Sequence, residues 1–178
     1  ADARIKSVEY ALTEYIEAEI LIANTLGLDV AQKSNLLISL AVARAVDNAS
    51  NKQGIETWQG RDLLTFQPEE IGRAAALDAV SHLGATSVDS GQMPIVLEKK
   101  AATDLFATYM PIFYADMVQK GFSQLGEKIN QDIAASAVSI VDDPRCRQSF
   151  YQPAFDSEGV ATRRTNLVQE GRLTGLLH

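Results

Sequence analysis

The sequence has little with which to bind a metal or cross-link itself. It holds one cysteine, Cys146, and two histidines, His82 and His178, in 178 residues. A lone cysteine excludes an internal disulfide, and it suits a reducing compartment, so a cytoplasmic location is expected. Two histidines far apart in sequence offer no spacing that converges three or four ligands on zinc. No apolar run approaches the roughly 20 residues that span a bilayer, so no membrane association is expected. The longest candidate, Leu36 to Val46, is broken by Ser39 and Arg44. Asp2, Arg4, Lys6 and Glu9 interrupt any signal-like stretch at the start. Cations are outnumbered, and the net charge of -7 argues against a nucleic-acid surface. A local basic patch around Arg145, Arg147, Arg163 and Arg164 stays open. No G-x-S-x-G elbow, P-loop or G-x-G-x-x-G run is present.

What is there reads as a soluble α+β protein. Alternation with period two predicts strands over Arg4 to Leu12 and Glu14 to Asn24, a turn at Asn24–Gly27, and a more apolar strand over Leu36 to Val46. The polar stretch Asp47 to Gly54 reads as a loop, and Ile55 to Gln59 as a returning strand. Four sequential strands with short polar connections suggest an antiparallel meander. Pro68 followed by Glu69 and Glu70 opens a helix that runs to Leu83 and stops at Gly84. Pro94 to Glu98 reads as a short strand. Ala101 to Lys120 reads as a second helix, which Pro111 must kink or divide. Ile133 to Val141 is a further strand, closed by Asp142–Asp143–Pro144. Arg164 to Val168 and Leu173 to Leu177 flank a hairpin turn at Gly171. The expected fold is α+β: a mainly antiparallel sheet with two helices packed on it and a C-terminal hairpin. A soft boundary separates residues 1–66, the meander, from residues 67–178, the two being parts of one continuous domain. The chain starts without Met inside one strand pattern and stops just after another, so a longer parent protein is expected.

Candidate chemistry is sparse. Asp78 and His82 share a helix face, which suits a surface hydrogen bond better than a two-ligand metal site. Cys146 has no histidine near it in sequence and reads as an idle thiol. Asp142–Asp143 and Asp156–Ser157–Glu158 could serve as an acid/base pair or a cation site, or as ordinary turn residues that cap local amides. Arg163 and Arg164 could fork onto a carboxylate or phosphate, or pair with Asp156 and Glu158 across a turn.

The tail carries more. Asp156, Glu158, Gly159, Arg164, Thr165, Leu167, Val168, Gly171 and Leu173, followed by Gly175–Leu176–Leu177–His178, stand at the spacing of a D-x-E-G-x-x-x-x-R-T-x-L-I-x-x-G-x-L run and its G-x-L-H ending. That run resembles the TldD/PmbA family. Ser139 to Pro144, Gly126 to Ile129, Asn24 to Gly27, Pro68 to Gly84 and Gly91 to Leu97 resemble its other segments in order.

TldD-like members of that family carry a zinc helix, H-E-x-x-x-H. Laid on this chain from Lys120–Gly121 and Gly126–Glu127, that motif falls on Phe106 to Pro111. Phe106 and Pro111 replace the histidines and Ala107 the glutamate. The resemblance is therefore to the PmbA/TldE branch, which lacks the metal. It implies a non-catalytic subunit of a peptidase system for proteolysis and peptide maturation, with family links to modulation of DNA gyrase. It implies no cofactor, no metal and no catalytic residue in this chain. The implied partners are a TldD-like subunit and peptide, as a heterodimer or homodimer, with Tyr109, Phe113, Asp156, Glu158, Arg163 and Arg164 as candidate contacts. Two alternatives remain: a carboxylate- or cation-dependent hydrolase using Asp143, Asp156 and Glu158, and a structural assembly module.

Overall fold

A computed structural model describes residues 2–178. Three strands come first: β1 (Ile5–Ala23), β2 (Asp29–Asp47) and β3 (Ser50–Gly60), in the antiparallel order β1-β2-β3. Helices α1 (Pro68–Ser81), α2 (Lys99–Tyr109) and α3 (Ala115–Gln119) follow. Short strands β4 (Ile140–Asp142), β5 (Thr165–Gln169) and β6 (Arg172–Leu173) make a second antiparallel sheet. The class is α+β, as the patterning predicts. Among the described residues no helix is long and apolar enough to cross a membrane.

The meander has three strands where the alternation suggested four. Residues 5–23 contain no Gly, Pro, Asn or Asp, so nothing in them can turn the chain, and Thr13 continues the strand. From Tyr10 onward β1 stays in register with β2 to its end, Tyr10 opposite Val42 and Ala23 opposite Asp29. Before that the register slips twice, between Ile5 and Ser7 and between Val8 and Tyr10. The Thr13 hydroxyl meets that of Ser39 across the ladder at 3.1 Å, and Ser39 also donates to the Leu12 carbonyl at 3.2 Å. These contacts satisfy Ser39, the one buried polar side chain among the described residues, which is 5% exposed. β3 begins earlier than its apolar residues indicate. Asn51, Lys52 and Gln53 pair with Val46, Ala45 and Arg44, because ladder bonds are made by main chain and do not require apolar side chains. Asn24 closes the β1–β2 turn, its side chain accepting from the amides of Leu26 and Leu28 at 2.9 and 3.1 Å.

The chain forms two compact units: residues 1–89 with 146–161, and residues 90–145 with 162–178. In the first, α1 lies against β2 and β3 through very small residues. Ala43, Ala45, Ala75 and Ala79 are buried together. A Cβ on Gly54 would sit 2.0 Å from the Ala79 nitrogen and 2.4 Å from the Ala75 carbonyl oxygen. Only glycine permits that approach of helix to strand. Asp78 and His82 serve the same contact: the Asp78 carboxylate accepts from the Ile55 amide at 2.9 Å, and the His82 ring lies 3.4 Å from the Gln53 carbonyl.

The second unit has a larger-grained core of Phe113, Leu125, Leu167, Val168 and Leu173. β5 and β6 join through Glu170 and Gly171, both at positive φ (49° and 86°). That is the geometry of a tight hairpin turn matched to strand twist. The Gly171 carbonyl accepts from the amides of Ile133 and Ala134, at 2.9 and 3.1 Å. Residues 133–138 therefore wrap the turn instead of forming the long strand their composition suggests, and only Ile140–Asp142 pairs as β4. Pro94 to Glu98 likewise forms no strand, since no ladder partner reaches it among the described residues.

Candidate functional site

The positions aligned with the family's zinc motif lie at the end of α2. The Glu98 side chain caps that helix by accepting from the Lys100 amide at 2.7 Å. It ends at Tyr109, where Pro111 removes an amide donor and the chain tightens into a 3₁₀ turn over Met110–Phe113. The second helix of the sequence reading is thus divided at Pro111 into α2, this turn and α3. The end of the turn is strapped by the tail. The Leu177 amide donates to the Phe113 carbonyl at 2.8 Å, and the Ala115 amide to the Leu177 carbonyl at 2.7 Å. The Ser123 hydroxyl also donates to the Ile112 carbonyl at 2.6 Å.

The aromatic residues near this turn separate into two kinds. Phe113 is 4% exposed and belongs to the core. Leu105, Phe106 and Tyr109 are 48%, 43% and 58% exposed. Leu105 and Phe106 stand four and three residues before Tyr109, so each neighbours it on the helix surface and the three fall on one side of the helix. No residue of α2 is buried, which leaves an apolar helix face uncovered within this chain. Phe106, Ala107 and Pro111 offer no nitrogen, oxygen or sulfur side-chain donor, so the residues at these positions do not fit a zinc ion. Among the described residues no group of three His, Cys, Asp or Glu comes together to hold a metal.

The acidic and basic candidates are placed by local bonds. Asp156 accepts from the amides of Glu158 and Val160 at 2.9 and 3.0 Å, a turn closed by a side chain. Asp143 accepts from the Arg145 amide at 2.9 Å and lies 3.6 Å from Arg164. Arg164 also donates to Asn166 at 2.8 Å. Arg164 thus finds its carboxylate upstream, at Asp143. Arg163, Glu158 and Cys146 are exposed. Much of the tail motif has a structural role: Leu167 and Leu173 are fully buried, Gly171 forms the hairpin turn and Leu177 straps the Phe113 turn.

A second surface is the free edge of β1, which pairs only with β2 among the described residues. Tyr10, Leu12, Ile16 and Ile20 are exposed along one side of it. They stand opposite Val42, Leu40, Leu36 and Gln32 of β2. α1 packs beside Ala43 and Ala45, on the other side of the sheet.

Comparison with known proteins agrees with this geometry. Residues 90–178 match the family model described as the PmbA/TldA metallopeptidase C-terminal domain. A metalloprotease of Methanothermobacter thermautotrophicus is 34% identical over 126 residues, covering 70% of this chain and 26% of that protein. Metalloprotease PmbA of Escherichia coli O157:H7 is 26% identical over 131 residues, covering 73% of this chain and 29% of that protein. A Thermotoga maritima protein described as a modulator of a DNA gyrase superposes with a TM-score of 0.94 at 33% identity, over 99% of this chain and 41% of its own. The chain therefore spans between a quarter and two fifths of the length of these relatives. The family model covers the half of the chain that holds α2, the strapped turn and the hairpin, and this chain belongs to the PmbA/TldD family.

Proposed function

We propose that this chain is part of a TldE-type subunit, one that hydrolyses no peptide bond itself and supports a TldD-like peptidase subunit and its peptide substrate. The observation that carries the reading is the end of α2. Where the family's zinc motif would place two imidazoles and a glutamate, Phe106, Pro111 and Ala107 present carbon, and carbon neither ligates zinc nor takes a proton from water. The same helix turns Leu105, Phe106 and Tyr109 outward, a face suited to an apolar groove on a partner. The free edge of β1 offers main-chain donors and acceptors to an extended peptide or a partner strand by the same logic. The metalloprotease names of the relatives favour a place in proteolysis. Hydrolysis by Asp143, Asp156 and Glu158 is the weaker reading, because Asp143 and Asp156 are engaged by arginine and by turn amides.

The test uses the full-length protein alone and mixed with a TldD-like protein. The expected outcome is a stable complex by size-exclusion chromatography, with peptide cleavage only in the mixture. Phe106→Ser with Tyr109→Ser should weaken the complex while changing stability by less than about 1 kcal/mol, since both side chains are largely exposed. Stoichiometric metal together with cleavage by this protein alone overturns the reading.

A further inference from the structure

A second site lies in the first unit, where β3 leaves β2. The β2–β3 ladder ends with Gly60 opposite Leu37, whereas β2 itself begins at Asp29. Around Asn35 the main chain of β2 therefore has β1 on one side and no strand on the other, among the described residues. An open cleft of about 510 Å³ adjoins this gap, lined by Asn35, Arg61, Arg147, Ser149, Phe150 and Gln152 among others.

Its wall is built from side-chain amides. Gln152 donates to the carbonyls of Cys146 and Ser149 at 2.7 and 3.2 Å, which closes the 146–152 loop on itself. Its oxygen accepts from Arg61 at 3.0 Å and so aims that guanidinium. Asn35 donates to the Arg61 carbonyl at 2.6 Å and fixes the same residue from the strand side. Gln32 ties the segment to β2: it donates to the Gln152 carbonyl at 2.9 Å and accepts from the Ala154 amide at 2.6 Å.

The charge of the cleft runs against that of the chain. The protein carries a net charge of -7, yet two arginines are among the residues lining this cleft, and neither Arg61 nor Arg147 has a carboxylate partner among the described residues. Asp62, the single acid among the lining residues, accepts from the Leu64 amide at 2.9 Å as a turn cap. Two arginines on one cleft, neither held by a carboxylate, at the end of an open strand edge, match a planar oxyanion attached to extended main chain.

We infer that this cleft binds the C-terminal carboxylate of an extended peptide. The carboxylate forks onto Arg147 and the free donors of Arg61, and the preceding peptide groups run along the edge of β2 near Asn35, with Phe150 covering one side. Gln152 is a positioning residue that acts through Arg61. The assignment rests on the peptide-binding part of the function proposed above and adds the chemical class recognised: peptides with a free C-terminus, as released by an earlier cleavage.

The test measures fluorescence anisotropy of a labelled extended hexapeptide, as the free acid and as the C-terminal amide, on the full-length protein alone and in complex with a TldD-like subunit. Inorganic phosphate serves as competitor. The acid should bind at least about tenfold more tightly than the amide, as expected for a charge-assisted pair in a partly desolvated site. Arg147→Gln should bring the acid down to the level of the amide and leave the amide unchanged. Among the described residues the Arg147 side chain has no hydrogen-bond or ion-pair partner, so this variant should fold normally. Arg73→Gln, on α1 outside the cleft, should change nothing. Equal binding of acid and amide overturns the inference, as does an Arg147→Gln variant that weakens both alike. Displacement by phosphate as effective as by unlabelled acid assigns the cleft to a free oxyanion and overturns the peptide. No binding of either peptide also overturns it, while complex formation with the TldD-like subunit separately decides the subunit reading.

Discussion

The two units of this chain bury their apolar surface in opposite ways. The first packs α1 on its sheet through Ala43, Ala45, Ala75 and Ala79, with Gly54 beneath the helix. The second fills its interior with Phe113, Leu125, Leu167, Val168 and Leu173. A small-residue core gains from proximity: main chain approaches main chain, and there is no volume left to fill. A large-residue core gains from the area each side chain removes from water. The first should therefore suffer from added atoms, and the second from lost ones.

The largest expected effect breaks the second core. Phe113→Ala should cost about 3–5 kcal/mol in urea unfolding, through lost burial and the cavity left behind. It should also loosen the turn strapped by Leu177, and hydrogen exchange at the Ala115 amide reports this. A loss under about 1 kcal/mol would mean that this core collapses around the gap.

Next comes a single methyl group in the first core. Gly54→Ala would place its Cβ 2.0 Å from the Ala79 nitrogen, so α1 must move away from β3. The expected cost is about 2 kcal/mol. It should appear as faster exchange at the Ile55 amide, which the Asp78 carboxylate now holds at 2.9 Å. If the same exchange change appeared at the Ala115 amide, the two cores would not be separate in their response.

The smallest effect is electrostatic. Glu9 is held below its ordinary value of 4.5, first by the Ser7 hydroxyl and then by Arg44. Asp116 is held below 3.8, chiefly by its hydrogen bond to the Lys120 ammonium. For each, the folded form binds fewer protons than the unfolded form. The stability this adds is complete above the ordinary value and is lost as the pH falls through the depressed one. Acid titration should show a shallow loss that begins near pH 4.5 in the first unit. Glu9→Gln should remove that share and leave the contribution of Asp116 in place. Both groups are on the surface, so added salt should shrink the effect further.

Much of the fold was legible because its signals are local. Pro68, Glu69 and Glu70 mark the start of α1, Pro111 divides the second helical stretch, and Glu170–Gly171 turns the hairpin. Each rests on the conformational freedom or donor capacity of one or two residues. The extents of strands were harder to read. β1 runs through Thr13 because its partner does, and β3 starts at Ser50 although its first residues are polar. Residues 133–138 look like a strand and instead wrap the Gly171 carbonyl. In each case the outcome depended on whether another segment supplied a ladder.

The candidate sites divide along the same line. The replacement of the zinc ligands by Phe106, Ala107 and Pro111 needs only the order of residues, as does the turn role of Asp156. That Phe113 is core while Phe106 and Tyr109 face outward could not be read there, since all three are aromatics within one helical stretch. Arg147 belongs to the basic patch that the sequence suggests, but its companion in the cleft, Arg61, does not. Gln152, which aims Arg61, is 91 residues away from it, and no local pattern links residues so distant.

By itself, then, the sequence determined the class of the fold, the caps and turns, and the chemistry the end of α2 lacks, because each depends on what a residue carries or cannot carry. Only the tertiary structure decided strand lengths, which aromatics are buried, and the meeting of Arg61 with the 146–152 loop. Those depend on which distant segment arrives alongside, and long-range packing settles that.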